Sequence, residues 1–175
     1  MDAPVIGREP TPAPCTPAIT ATLAVIAQHR DATGAMRPGS LLPVLHALQH
    51  ELGWIPSETV PVLGQAMNLS RAEVHGVITF YPHFRSSPPA RHVVEICQAE
   101  SCQAMGSDAL VEYAQQRLGC AMNAHTADGH ITLAPVYCLG LCAQSPAMMI
   151  DARPHARVTP ERLDQLIARI EEAHA

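Results

Sequence analysis

Lysine is missing from this chain: all eleven basic residues are arginine. Charge is sparse throughout, 15% of 175 residues with a net of −5, and no basic stripe or arm appears. That argues against nucleic acid as a partner. Aromatic residues make up only 3%, which by itself carries no function. No apolar run reaches the about 18 residues that a membrane span needs. The opening residues, MDAPVIGREPTPAPC, have no apolar stretch behind a basic start, so no signal peptide is expected. A cytoplasmic chain follows, in which thiols stay reduced and an even cysteine count does not imply disulfides. There is no G-x-G-x-x-G fingerprint, no Walker A motif and no nucleophile–base pattern, so a flavin or nicotinamide site of its own is not expected.

What the chain does have is six cysteines, four of them in two close pairs. Cys97 and Cys102 stand in CQAESC, Cys138 and Cys142 in CLGLC, a C-x4-C and a C-x3-C with 35 residues between them. Thiolate is a soft anionic ligand that suits iron–sulfur clusters and zinc. Neither spacing is the C-x2-C of zinc knuckles and redox dithiols. Cys15 and Cys120 are read as buried small hydrophobes.

At 18.7 kDa and 47% hydrophobic residues, the chain can hold one ordinary domain, or a small one with an extension. Residues 1–17 contain five prolines and read as a flexible tail. Residues 18–85 read as a helical bundle. Ile19, Leu23 and Ile26 mark a first helix from Ala18. Ser40 is placed to cap a second that Gly53 stops, Ser57 to cap a third, and Ser70-Arg-Ala-Glu73 is a capping box for a fourth. TFYPHF at 79–84 is expected to clasp the two halves together, with a share in a partner interface as the alternative. Residues 86–175 change period. Val93, Val94 and Ile96 predict a strand entering Cys97, and a helical face runs from Gln103 to Leu118. Further strands are expected at 131–137 and Ala147–Ile150, before a last helix capped by Thr159. This β-α-β-β-α order resembles a thioredoxin-like half and puts both cysteine pairs at strand ends, where distant residues can meet. Cys102 is expected just before a helix, whose N-terminus favours a thiolate.

Three uses of the four thiols remain open on these grounds. A [2Fe–2S] centre with four thiolates carries a charge of −2, and −3 after taking one electron. With no Arg inside either loop, backbone N–H groups must supply most of the compensation, and Gly140 lets backbone approach. Its potential should be low, of order −400 mV. The second use is a four-cysteine zinc site in an interaction module, and the third a catalytic dithiol. Histidine ligation is not expected, since no Cys-x-His pair is present.

CQAESC and YCLGLCAQSPAMMID, preceded by LLPVLHALQHELGWIP and AEVHGVITFYPHF, resemble the 24 kDa [2Fe–2S] subunit family of respiratory complex I. That family includes diaphorase subunits of NAD-linked hydrogenases and the gamma subunit of soluble NAD-dependent molybdenum formate dehydrogenases. The resemblance covers about residues 18–173. It implies an α+β chain, an N-terminal helical bundle followed by a thioredoxin-like [2Fe–2S] ferredoxin domain. In it Cys97, Cys102, Cys138 and Cys142 ligate one cluster beside a flavoprotein subunit that holds FMN and binds NAD. ESCQAMGSDAL, VYCLGLCAQSPAMM and DARPHARVTP look most like the formate dehydrogenase branch. Leu141 stands where Ala is common, and Ala104 and Met105 where complex I relatives carry Leu and Arg. That branch implies a further partner, the catalytic subunit with its molybdenum cofactor, and the overall reaction formate + NAD+ to CO2 + NADH.

Overall fold

The computed structural model describes residues 16–172. The expected tail, and Cys15 with it, falls outside them except for Thr16 and Pro17. Those two residues belong to a helix start. Thr16 Oγ1 accepts from the Ile19 N–H at 3.2 Å and Pro17 opens α1 (Pro17–Gln28), a position where its missing N–H loses nothing. Helix α2 (Leu41–Leu52) begins after Ser40 as expected, but the Ser40 hydroxyl donates back to the Arg37 carbonyl and does not cap. Gly53 ends it at φ +81°. Helix α3 (Thr59–Met67) starts two residues beyond the expected Ser57 cap. Thr59 Oγ1 donates to the Pro56 carbonyl at 2.6 Å, closing a turn over 56–59 and pushing the helix start forward. Helix α4 (Arg71–Phe80) opens on the expected capping box, complete in both directions between Ser70 and Glu73.

These four helices share one apolar core. Val44, Leu45, Leu48, Leu63 and Val74 are completely buried in it, with Val25, Ile26, Ile55, Ile78 and Phe84 around them. Of the TFYPHF stretch only Phe84 is buried, and it packs in this helical core, whereas Phe80 is 75% and Tyr81 40% exposed. The expected aromatic clasp between the halves is therefore not formed.

The second half is a five-stranded sheet in the order β2-β3-β1-β4-β5. Strand β1 (His92–Cys97) runs parallel to β3 (Ile131–Val136) and antiparallel to β4 (Met148–Ile150). The edges are two short strands, β2 (Ala124–His125) and β5 (Arg153–His155). The helical face expected over 103–118 is broken in two, α5 (Glu100–Ala104) and α6 (Ser107–Leu118), because Gly106 takes the left-handed conformation at φ +91°. Pro160 opens α7 (Pro160–Glu172), with Thr159 Oγ1 accepting from the Arg162 N–H at 3.3 Å.

Alternation along the strands sends Val94, Ile96, Leu133 and Met148 to one face, where Leu110, Ala114, Leu163 and Ile167 of α6 and α7 cover them. Each of the Val, Ile, Leu and Met side chains among these contributes roughly 1.5–3 kcal/mol on burial. The other face is polar. Glu95, 7% exposed, meets Arg85 there at 3.5 Å, and the Ala90 N–H donates to Thr132 Oγ1 at 2.7 Å. Gln49 of α2 secures the connecting segment, donating to the His83 carbonyl at 2.8 Å and accepting from the Arg85 N–H at 2.7 Å.

Candidate metal centre

Strand direction brings the four thiols together. In the parallel β1–β3 pair Cys97 stands opposite Val136, so both strands finish at one edge of the sheet. Cys138 follows two residues later. The chain then passes Cys142, which starts a single 3-10 turn (Cys142–Gln144), and returns into β4, with the Cys97 N–H bonded to the Ala147 carbonyl at 3.0 Å. Cys102 lies inside the five-residue α5, not ahead of a helix as expected; the break at Gly106 makes this first helix a single short turn.

All four thiols are free, and they divide by exposure. Cys97 is 1% and Cys102 2% exposed, packed with Ala147 and flanked by Ala99, Val136, Leu139 and Leu141. Cys138 and Cys142 face solvent, their sulfurs 3.6 Å apart. That is far beyond a disulfide bond of about 2.05 Å. It is near the roughly 3.8 Å separating two sulfurs bound at about 2.3 Å to one tetrahedral metal.

Backbone turns N–H groups onto the Cys97 sulfur. Cys138 has φ +75° and Gly140 φ +76°, and the Cys138 N–H reaches Cys97 Sγ at 3.4 Å. Burial works against ionisation of Cys97. The N–H groups of Ala99, Cys138 and Leu139, together with the Cys102 thiol, nevertheless hold its pKa below the ordinary thiol range. Cys142 is pushed the other way by its hydrogen bond with Cys138 and by negative charge there. Such mutual opposition among thiols is relieved when cations bind between them.

Three serines surround the thiols, and no pattern in the sequence marks them. Ser107, wholly buried, donates to the Cys97 carbonyl. Ser145 Oγ lies 3.5 Å from Cys102 Sγ and donates to the Cys142 carbonyl at 2.9 Å. Ser101 Oγ stands 3.1 Å from Ser145 Oγ. Cys120 is apart from all this, half-buried against the α6–α7 core, where burial raises its pKa.

Among the described residues no group of three or more His, Cys, Asp and Glu side chains could hold a single metal ion. The thiols form two pairs instead, and two pairs suit a centre that has two metal atoms. Four thiolates fit such a group in donor chemistry, and the backbone N–H groups at Cys97 supply the charge compensation that the arginine-free loops lack. His92 lies on β1 with Nδ1 2.5 Å from Asp151 Oδ2.

A family model described as thioredoxin-like [2Fe-2S] ferredoxin matches residues 24–171. A Pseudomonas aeruginosa protein named as a subunit of NADH-quinone oxidoreductase is 35% identical over 126 residues, 72% of this chain and 76% of the relative. The Thermus thermophilus protein named NADH-quinone oxidoreductase subunit 2 is 30% identical over 133 residues, 75% of this chain and 74% of that one. Among solved structures, an NAD+-reducing [NiFe]-hydrogenase in the air-oxidized state superposes at TM-score 0.62 with 28% identity. That match covers 78% of this chain but only 23% of the hydrogenase chain.

Proposed function

The chain belongs to the thioredoxin-like [2Fe–2S] ferredoxin family, and from that membership we propose that Cys97, Cys102, Cys138 and Cys142 hold one [2Fe–2S] cluster in an electron-transfer subunit of an NAD-linked oxidoreductase. The observation that carries this is the convergence of four free thiols at one sheet edge, with backbone N–H groups already trained on Cys97 Sγ. The bound group supplies one-electron redox chemistry. The chain's own residues do the rest. Ala99, Leu139 and the loop backbone keep water from the inner pair, Cys97 and Cys102. The exposed pair, Cys138 and Cys142, forms the rim at which another redox centre can come close. Tyr137, 57% exposed beside that rim, offers apolar surface for a neighbouring subunit. The domain reading is a helical bundle at 18–85 and a thioredoxin-like domain at 86–175, and the larger helical core and the larger sheet core support it.

The complex we favour is an NAD-dependent formate dehydrogenase, on the strength of ESCQAMGSDAL, VYCLGLCAQSPAMM and DARPHARVTP, with Leu141, Ala104 and Met105 at the distinguishing positions. A catalytic subunit with the molybdenum cofactor then oxidises formate, a flavoprotein subunit holds FMN and reduces NAD+, and this chain serves one-electron transfer beside the flavin, in the cytoplasm. Among the described residues no helix is long and apolar enough to cross a membrane. A second reading is favoured by the relatives, which carry the names of NADH-quinone oxidoreductase subunits and of an NAD+-reducing hydrogenase. It makes the chain a subunit of complex I or of a hydrogenase diaphorase.

Elemental analysis of the tagged chain, purified anaerobically with its native partners, separates these. Iron with molybdenum is the expected result. Iron without molybdenum moves the chain to complex I, and iron with nickel to a hydrogenase. Zinc in place of iron, in a colourless protein, sinks the electron-transfer reading.

A further inference from the structure

We propose that Ser145 is a positioning residue that donates a hydrogen bond to the Cys102 sulfur when that sulfur is a metal-bound thiolate, while Ser101 keeps satisfied the carbonyl that Ser145 releases. The inference rests on the reading of Cys102 as a cluster ligand.

Donor counting leads to it. A serine hydroxyl has one proton to give and two lone pairs to accept with, and a neutral thiol has one weak proton. With Cys102 as a thiol, its S–H points at Ser145 Oγ across 3.5 Å, and Ser145 spends its proton on the Cys142 carbonyl at 2.9 Å. Metal binding removes the thiol proton. The Ser145–Cys102 contact then survives only if Ser145 turns its own proton onto the sulfur. The Cys142 carbonyl would lose one of its two donors at that moment, but it keeps the Ser101 hydroxyl, which already donates to it at 3.2 Å and stands 3.1 Å from Ser145 Oγ. Rotation of the Ser145 hydroxyl alone converts the network from one state to the other without moving a heavy atom. Every group is satisfied in both.

Burial gives the bond weight. Ser145 is 9% and Cys102 2% exposed, so little water competes for either atom. A hydrogen bond to an anionic sulfur is stronger than one between neutral groups, and it strengthens as negative charge on the sulfur grows. It therefore favours the more reduced centre and raises its potential. The donors at Cys97 are mainly backbone N–H groups, beyond the reach of side-chain substitution. At Cys102 the donor is a side chain, so the potential can be adjusted there by sequence.

The test is an anaerobic redox titration, followed by electron paramagnetic resonance, of the full chain reconstituted with iron and sulfide. Ser145→Ala should keep the iron and sulfide content and lower the potential, by an electron affinity about tenfold weaker, about 59 mV for one electron. Ser145→Thr keeps a hydroxyl and should restore most of the shift. Ser101→Ala should lower the potential by less, and add nothing on the Ser145→Ala background, because it acts through Ser145. An unchanged potential in a fully loaded Ser145→Ala protein overturns the proposal, as does an equal drop in Ser145→Thr. Should Ser145→Ala fail to load, Ser101→Ala decides: a lowered potential supports the relay and an unchanged one overturns it. A wild-type chain that takes up no iron removes the cluster reading itself, a result visible before any variant is made.

Discussion

Cys97 and Cys142 show how differently four chemically identical thiols can be treated by their surroundings. The first is buried, yet backbone donors lower its pKa; the second is exposed, yet a neighbouring sulfur raises its own. Neither direction follows from exposure alone, since burial by itself would have raised Cys97. Local N–H donors outweigh it, as expected where an anion is to be held. Substituting a ligand removes one of four thiolates and leaves the others facing an incomplete metal environment. Cys97→Ser and Cys138→Ser are thus expected to lose the cluster. Cys120→Ser should keep full iron and sulfide, because that thiol packs against the α6–α7 core; Cys15→Ser should keep them as well. Iron and labile-sulfide assays per chain check this. Full iron in either of the first two variants would overturn the ligand assignment.

Helix ends divide into those set by a few neighbouring residues and those set by the rest of the fold. The Ser70–Glu73 box is of the first kind, with the Glu73 carboxylate bonding both the Ser70 N–H and hydroxyl at 2.7 Å. Ser70→Ala should lower stability by about 1 kcal/mol, measured by urea unfolding. A loss below about 0.3 kcal/mol would show that packing alone holds α4. That box was legible in sequence because both partners lie within one turn. So were Gly53 and Thr159-Pro160. The start of α3 was not, since the Pro56–Thr59 turn competes with Ser57 through a bond that no periodicity announces. Gly106 was missed because a break of this kind leaves the apolar spacing on both sides intact, and Cys102 was misplaced with it. At the site itself, the cysteine spacing pointed to all four thiols. The hydroxyls of Ser101, Ser107 and Ser145 stayed hidden, for serine carries no spacing rule and the chain distances are long. Ser145 is 43 residues from Cys102.

Among the described residues the two larger cores, one helical and one on the sheet, meet at a polar seam, and the seam carries opposed titrations. His83 lies against His46, ring centroids 4.8 Å apart. Partial burial, then the charges of His46 and Arg85, lower its pKa below the usual 6.5. The neutral form is favoured in the fold, so this contribution is present above 6.5 and lost as pH falls through the folded value. Glu95 is shifted upward from 4.5, burial outweighing the attraction of Arg85. Here the fold binds the proton more tightly than the unfolded chain does. Stability is therefore full below 4.5 and declines as pH rises through the folded value. Glu95→Gln isolates the second effect, because His83 is common to both proteins and cancels. The variant's melting temperature, measured with the same cluster content from below pH 4.5 to pH 8, should rise relative to wild type as the pH increases. A variant less stable than wild type at pH 8 would show that the Arg85 pair, 3.5 Å long and with Arg85 only 25% exposed, outweighs the desolvation of the carboxylate. The ion pair would then hold the two cores together. With the expected sign, the connecting segment is held instead by neutral hydrogen bonds, to Gln49 of α2 through the His83 carbonyl and the Arg85 N–H and to Thr132 of the sheet through the Ala90 N–H, and the Arg85–Glu95 pair costs stability.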